Sequence, residues 1–316
     1  MVFRGPLFIV GAPRSGTKLL RDLVKQHPGI GIPDYETEFL PRWLDRDFDL
    51  DRDFEAFYDW ATRFMYFKYM ADEGRCISLD QWQAASPSPD VRGVFEGLCR
   101  HDAGQPEGVW GDKSPNYRAH LPELKALYPE ARFVHIVRDA RDVCLSSNKA
   151  WGKHILRNAQ RWFDEVGECR RAGQVLKGDY LELRYEDLIT EPERWLTAIA
   201  ELCGLDFHPG MLDPGRATEN LGDTRGATSI VSSNTGKWRQ RMDPHTLLRV
   251  EELCGPLLVE LGYELANPGI AHRRARGSQM AVWRLKDGAS LLRFRVKEWG
   301  WRDALKYSLS ALESTL

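Results

Sequence analysis

No stretch of the sequence approaches the ~20 consecutive apolar residues that a membrane-spanning helix needs. The opening Met1-Val2-Phe3-Arg4-Gly5-Pro6 carries no signal-peptide hydrophobic region. Cysteines are few: six in 316 residues (Cys76, Cys99, Cys144, Cys169, Cys203, Cys254), no two closer than 23 positions. With no CxxC or zinc-type spacing, free thiols in a reducing, cytoplasmic setting are expected, and no metal. An excess of one charge is also missing. Lys and Arg number 44 against 46 Asp and Glu, a net charge of −2, whereas a protein that held nucleic acid by bulk charge would be clearly basic. No internal repeat is present. What remains, 42% hydrophobic with 11% aromatic residues, can bury a sizeable core and excludes a largely disordered chain. The length allows one or two domains.

Leu7-Phe8-Ile9-Val10, ended by Gly11, reads as a buried strand. Leu19, Leu20, Leu23 and Val24 then repeat at helical spacing until His27-Pro28 stops them. The aromatic stretch 39–70 is expected to be helical and to form core and pocket wall, while 84–90 reads as a surface loop. A second buried strand, 133–137, runs into Arg138-Asp139 and a helix. His135 alternates with Val134 and Ile136 there, which predicts a hydrogen-bonded core histidine. A third strand, 180–184, precedes a helix with Pro192 near its start. Residues 209–236 read as a long, ligand-ordered loop, and 244–261 as a helix. Strands alternating with helices predict an α/β fold of the P-loop type, three layers with a central parallel sheet covered by helices.

From residue 266 the character changes. Between Arg273 and Lys297 stand eight basic residues against one acid, Asp287. The chain is therefore divided into a domain, 1–265, and a basic, aromatic C-terminal helical tail, 266–316. The basic run would serve a weak contact with a membrane surface or an acidic partner; the alternative is a solvated face of a tail that packs through Trp283, Leu291, Leu292, Phe294, Trp299 and Trp301.

Gly11-Ala12-Pro13-Arg14-Ser15-Gly16-Thr17-Lys18 joins the first strand to the first helix. There, backbone N–H groups and the positive helix end converge on one spot, a ready anion site. Gly16 allows close approach, Thr17 offers a hydroxyl and Arg14 a planar cationic fork. The spacing almost matches GxxxxGK[ST], but Thr17 precedes Lys18, which moves the lysine off the position that reaches β/γ-phosphates. A P-loop kinase or NTPase is thereby disfavoured; it and a non-catalytic nucleotide-binding module are the alternatives. Arg138 lies at a strand tip, where α/β folds bind ligands, and Ser146 follows eight residues later. This second constellation suits a second phosphate, separate from the first.

Pro13-Arg14-Ser15-Gly16-Thr17, with Arg138…Ser146 after the central strand, resembles the sulfotransferases that use 3′-phosphoadenosine 5′-phosphosulfate (PAPS). Leu183-Arg184-Tyr185-Glu186-Asp187-Leu188 and Gly236-Lys237-Trp238-Arg239 fit the same family, in the same order, over residues 6–262. Gly11 to Arg42 is most similar to the tyrosylprotein and carbohydrate branch. The resemblance implies sulfuryl transfer to a hydroxyl acceptor, a small molecule or carbohydrate by preference and a peptide tyrosine second, with 3′,5′-ADP as product. Glu36, before Thr37, takes the place of the catalytic base. Lys113 falls where the family has a cation facing the sulfuryl oxygens, and Arg14 would stabilise the leaving 5′-phosphate. Ser15, Gly16, Thr17 and Lys18 would cradle the 5′-phosphosulfate, Arg138, Ser146 and Tyr185 the 3′-phosphate, and Lys237 would close over the cofactor. Two departures stand out: Lys18 replaces the second Thr of RSGTT, and Glu38 replaces the Arg of peptide-modifying members, although Arg42 is retained. The Golgi members also carry an N-terminal membrane anchor, which this sequence lacks.

Overall fold

The alternation of the first strand already contains the layering. In β1 (Leu7–Gly11), Leu7 and Ile9 pack into one cluster of buried residues while Phe8 and Val10 pack into another, as period-2 side chains on a two-sided sheet must. The computed structural model describes residues 2–313 apart from 106, 218–220 and 222, and beyond Arg302 it describes only the Ala304 side chain. After β1 come α1 (Thr17–Val24), the two-residue β2 (Ile30–Gly31), then α2 (Leu40–Leu44), α3 (Phe54–Ala61), α4 (Met65–Asp72), α5 (Leu79–Ala85) and α6 (Val91–Ala103). β3 (Val109–Lys113) is followed by a 3₁₀ turn, Pro115–Ala119, and α7 (Leu121–Leu127). Then follow β4 (Arg132–Val137), α8 (Ala140–Trp151), α9 (Ile155–Gln174), β5 (Tyr180–Arg184), α10 (Tyr185–Thr190) and α11 (Pro192–Leu202). The chain ends on α12 (Trp238–Arg241), α13 (Pro244–Glu260) and α14 (Gly277–Glu313).

The five strands are all parallel, in the order β2-β3-β1-β4-β5. This is the expected three-layer α/β architecture. One face carries α1, α10 and α11 through Leu20, Leu23, Leu188 and Ile199. The other carries an aromatic cluster in which Trp43 stacks on Phe57 at 4.1 Å, with Phe39 and Trp82 alongside. The aromatic stretch is helical as three short pieces rather than one, and it is core. α9 fits because Ala159, Trp162, Val166, Cys169 and Gly173 form a buried stripe at 3–4 spacing. His135 is fully buried and its Nδ1 shares a 2.7 Å hydrogen bond with the Tyr180 hydroxyl, as expected of a hydrogen-bonded core histidine, while its Nε2 has no hydrogen-bond partner among the described residues.

α14 breaks at Gly300, whose φ of 79° and ψ of 169° lie outside the helical region. Its inward side is Trp283 and Asp287, one helical turn apart. Seven of the eight basic residues of the 273–297 run are exposed, and Arg295 is half-buried.

Candidate active site

In a parallel sheet all carboxyl ends lie on one edge, and β1 sits where the order reverses, flanked by β3 and β4. Such an edge is where open α/β sheets take ligands. The Gly11–Thr17 turn, Lys113, Arg138 and Tyr185 all leave strands there. The turn is tight. A Cβ on Gly11 would sit 2.5 Å from the Ile136 carbonyl oxygen, and one on Gly16 would sit 2.3 Å from the Tyr185 ring. Gly16 also has a φ of 91° and caps α1, so glycine is required on both counts.

A cavity of about 190 Å³ opens beside this turn. Arg14, Gly16, Arg138, Ser146, Tyr185 and Lys237 all line it. Arg138 lies over the Tyr185 ring, its Cζ 4.3 Å from the centroid, and donates to the carbonyls of Arg14 (3.2 Å) and Asn234 (2.7 Å). The Tyr185 hydroxyl accepts from Asn234 Nδ2 at 2.7 Å. Arg14, whose own φ is 73°, directs Nε to Ser146 Oγ at 3.1 Å. Its guanidinium therefore bridges the turn after β1 to Ser146 on α8. The two motifs meet in one cavity. Lys237 contacts Asn234 Oδ1 and Asp223 Oδ2, each at 2.7 Å, and Lys149 and Arg241 pair with the same aspartate. Asp142 anchors this wall by accepting the N–H groups of Gly236 (2.7 Å) and Trp238 (2.9 Å). Asn234, Asp142 and Asp223 were not anticipated. They sit among ordinary polar residues of a loop and a helix, and only tertiary contact gives them a place.

At the turn after β1 and the tip of β4, two buried polar atoms, Ser15 Oγ and Arg138 Nε, have no hydrogen-bond partner among the described residues. A phosphate oxygen supplies what each lacks, an acceptor for the arginine and a partner for the hydroxyl. The residues thus fit a phosphorylated cofactor. Thr17 is buried beside Ser15 on the first turn of α1.

The second half of the site stands between β3 and the segment before α2. Lys113, fully buried, places Nζ 2.5 Å from Glu36 Oε1, across 77 residues of sequence. The Glu36 side chain is 32% exposed, so its carboxylate reaches both the lysine and solvent. Burial pushes the Glu36 carboxyl up, but Lys113, helped by Lys18 and Arg21, outweighs it and holds Glu36 below the usual carboxylate range. Burial likewise lowers Lys113, against the pull of Glu36. Next to them Glu38 has a φ of 56°, a left-handed conformation that costs a non-glycine residue about 1–3 kcal/mol. Its Oε1 accepts from Asn116 Nδ2 at 2.9 Å, and its backbone N–H reaches Ser114 Oγ at 3.2 Å. Thr37 Oγ1 meets the Tyr117 hydroxyl at 2.7 Å, fixing the turn between the two glutamates. Burial and the Glu36 charge raise the Glu38 carboxyl to about 7.

The sequence profile of the Sulfotransferase family matches residues 6–209. The chain belongs to the sulfotransferase family. Sulfuryl transfer is accordingly its reaction. Among its relatives, protein-tyrosine sulfotransferase 1 of Danio rerio is 24% identical over 283 residues, covering 83% of this chain and 73% of that protein. Nodulation protein NoeE of Sinorhizobium fredii is 26% identical over 303 residues, covering 85% and 68%. The solved sulfotransferase domain from the curacin biosynthetic pathway superposes with a TM-score of 0.57 at 19% identity, over 84% of this chain and all of that one. The sulfotransferase fold thus accounts for the joint position of the turn after β1 and the tip of β4.

Proposed function

We propose that this sulfotransferase takes its sulfuryl group from PAPS and delivers it to a hydroxyl of a small molecule or carbohydrate, with Glu36 as general base. The observation that carries the reading is the 2.5 Å pair of Glu36 with buried Lys113 at the carboxyl edge of the sheet. A carboxylate kept ionised, yet one-third exposed, can accept a proton from an incoming hydroxyl. PAPS, when bound, supplies an activated sulfuryl group with 3′,5′-ADP as the leaving portion. Ser15, Gly16, Thr17, Lys18 and the turn amides would hold its 5′-phosphosulfate. Arg138, Ser146, Arg14 and Tyr185 would hold its 3′-phosphate, with Lys237 as the loop contact. Lys113 would face charge developing on the sulfuryl oxygens, a role that preorganised positive groups perform in such transfers. Glu38, where peptide-modifying members have an arginine, disfavours acidic peptides, so a peptide tyrosine ranks second. Six free thiols, five of them buried, support a reducing, cytoplasmic setting.

The test compares wild type with Glu36→Gln. Loss of a general base lowers turnover by about 10²–10⁴-fold, while the thermal stabilisation by 3′,5′-ADP stays at the wild-type level. Full activity in the variant removes Glu36 from the role. Stabilisation by ATP with magnesium in place of 3′,5′-ADP overturns the PAPS assignment.

A further inference from the structure

Helix α14 packs against α8 and α9 and takes no part in the reaction scheme. Its inward face is fixed. Trp283 stacks on His154 at 4.7 Å, and Asp287 accepts the His154 backbone N–H and an Arg157 N–H, each at 2.7 Å. The segment leading into it is fastened as well: the Ala275 N–H donates to Gln160 Oε1 at 2.9 Å, and Arg274 pairs with Asp164 at 2.7 Å. Turning the helix over breaks these contacts, so the residues on its far side are held outward.

That far side is a row of Val282, Leu285, Ala289, Leu292, Val296 and Trp299. A 3-4-3-4-3 spacing keeps to one side of a helix, and the row runs about 26 Å at 1.5 Å per residue. Val282 is 52% and Leu285 77% exposed, Ala289 is exposed, and Leu292, Val296 and Trp299 are half-buried. Beyond the break at Gly300, Trp301 is 65% exposed. Cations border the row on both sides: Arg284 and Arg295, three turns apart, on one, and Lys286, Arg293 and Lys297 on the other. The acids before Gly300 stand elsewhere. Asp287 faces inward, and Glu298 follows it by three turns on the same side. Residues 273–302 hold nine basic residues against two acids, so this segment carries +7 and the rest of the chain −9.

We propose that α14 docks the protein on an anionic lipid surface, with the Leu285 row in the apolar boundary layer and the flanking cations on the headgroup phosphates. An apolar, aromatic face between rows of Lys and Arg is how a helix lies in an interface. No helix among the described residues is long and apolar enough to cross a membrane, so the contact is peripheral. A second copy of the chain suits the 3-4 spacing but not the charge. Pairing two α14 helices sets cations against cations where coiled coils place opposite charges. The partner is therefore negative. An acidic protein groove must match the cation spacing along both borders, whereas a fluid anionic surface supplies negative charge beside the row at any register. This docking is independent of the sulfuryl-transfer reading.

The experiment floats the full chain with vesicles of phosphatidylcholine alone or mixed with phosphatidylglycerol. Binding to the mixed vesicles is expected to exceed that to the neutral ones by about tenfold or more, and to fall as salt is raised. Val282→Asp with Leu285→Asp lowers it about tenfold, and so does Arg284→Glu with Lys286→Glu. Val259→Asp, at a comparably exposed apolar position on α13, leaves it unchanged. All four substituted positions on α14 are exposed, and thermal unfolding at the wild-type temperature verifies that each variant keeps its fold. No binding to the mixed vesicles, equal binding to both lipid compositions, or binding that persists in both double variants overturns the proposal. Self-association of wild type without lipid, abolished by Leu285→Asp, assigns the face to a second copy and overturns it too. Capture by polyglutamate without binding to vesicles assigns the face to an acidic protein, with the same consequence.

Discussion

Glu36 and Glu38 stand two residues apart and are driven in opposite directions. Glu36 has Lys113 for a partner and stays ionised, whereas Glu38 feels burial and the charge of Glu36 and rises to about 7. Pairs of carboxyls pushed apart in this way mark sites where one must accept a proton and the other need not. Because the folded value of Glu38 lies above its ordinary one, its contribution to stability is full below about 4.5 and is lost as pH rises through about 7. Ionisation there also places a second negative charge beside the base. Glu38→Gln is therefore expected to remove a change in kcat/KM between pH 6 and 8. It should also make the protein more stable than wild type in urea at pH 8, and less so at pH 5. Profiles of activity and unfolding that coincide for the two proteins would show that Glu38 does not titrate in this range.

At the scale of elements, β4 and β5 are joined by more than their backbone ladder. His135 on β4 meets Tyr180 and, at 3.2 Å, Glu182 on β5, and Arg170 of α9 donates to Glu182 at 2.8 Å. Burial works against the imidazolium, but the Cys169 thiol and the Glu182 carboxylate outweigh it and hold His135 at about 9. Its folded value is raised, so this stabilisation is complete below about 6.5 and fades as pH climbs through 9. Replacing His135 with Leu removes a charge-assisted hydrogen bond and should cost about 2 kcal/mol at pH 6, with a clearly smaller loss at pH 9.5. Denaturant titrations at the two pH values give the comparison, and an equal loss at both would mean that the histidine is neutral. β1, β4 and β5 were legible in the sequence because apolar residues dominate them: Leu7 to Val10 in β1, Phe133, Val134, Ile136 and Val137 in β4, and Leu181 and Leu183 in β5. β3 was not, since Gly111, Asp112 and Lys113 put small and charged residues in a strand that is nevertheless wholly buried. Lys113 was reached through family resemblance alone, for no spacing rule connects it to Glu36. The charged sequence of α9 likewise hides a stripe of five buried positions. Which way Arg14 turns depends on a left-handed backbone conformation and on Ser146 arriving from another helix, and neither is written locally.

The whole molecule carries a net charge of −2, yet its binding edge is a concentration of cations that the rest of the surface balances. Asp223 accounts for much of that balance inside the cavity. One carboxylate receives Lys149, Lys237 and Arg241 together, and their contacts drive its carboxyl well below the usual range. Arg14 and Arg138 complete the ring from the other wall. A doubly charged phosphate entering this cavity must compete with Asp223 for the same ammonium and guanidinium groups. Fields from paired charges in a partly enclosed cleft act strongly over such distances. Asp223→Asn removes the internal competitor and leaves three cations for the ligand, so 3′,5′-ADP should bind about tenfold tighter, equivalent to about 1.4 kcal/mol. The unliganded variant should at the same time lose stability, because the three cations then repel one another. The gain should shrink as salt is raised from 50 to 300 mM, since these groups are open to solvent and screened. Calorimetric titration with 3′,5′-ADP at both salt concentrations measures it directly. Weaker binding by Asp223→Asn would show that the aspartate holds the cavity in its binding form, and that its contacts with Lys149, Lys237 and Arg241 persist with the nucleotide in place.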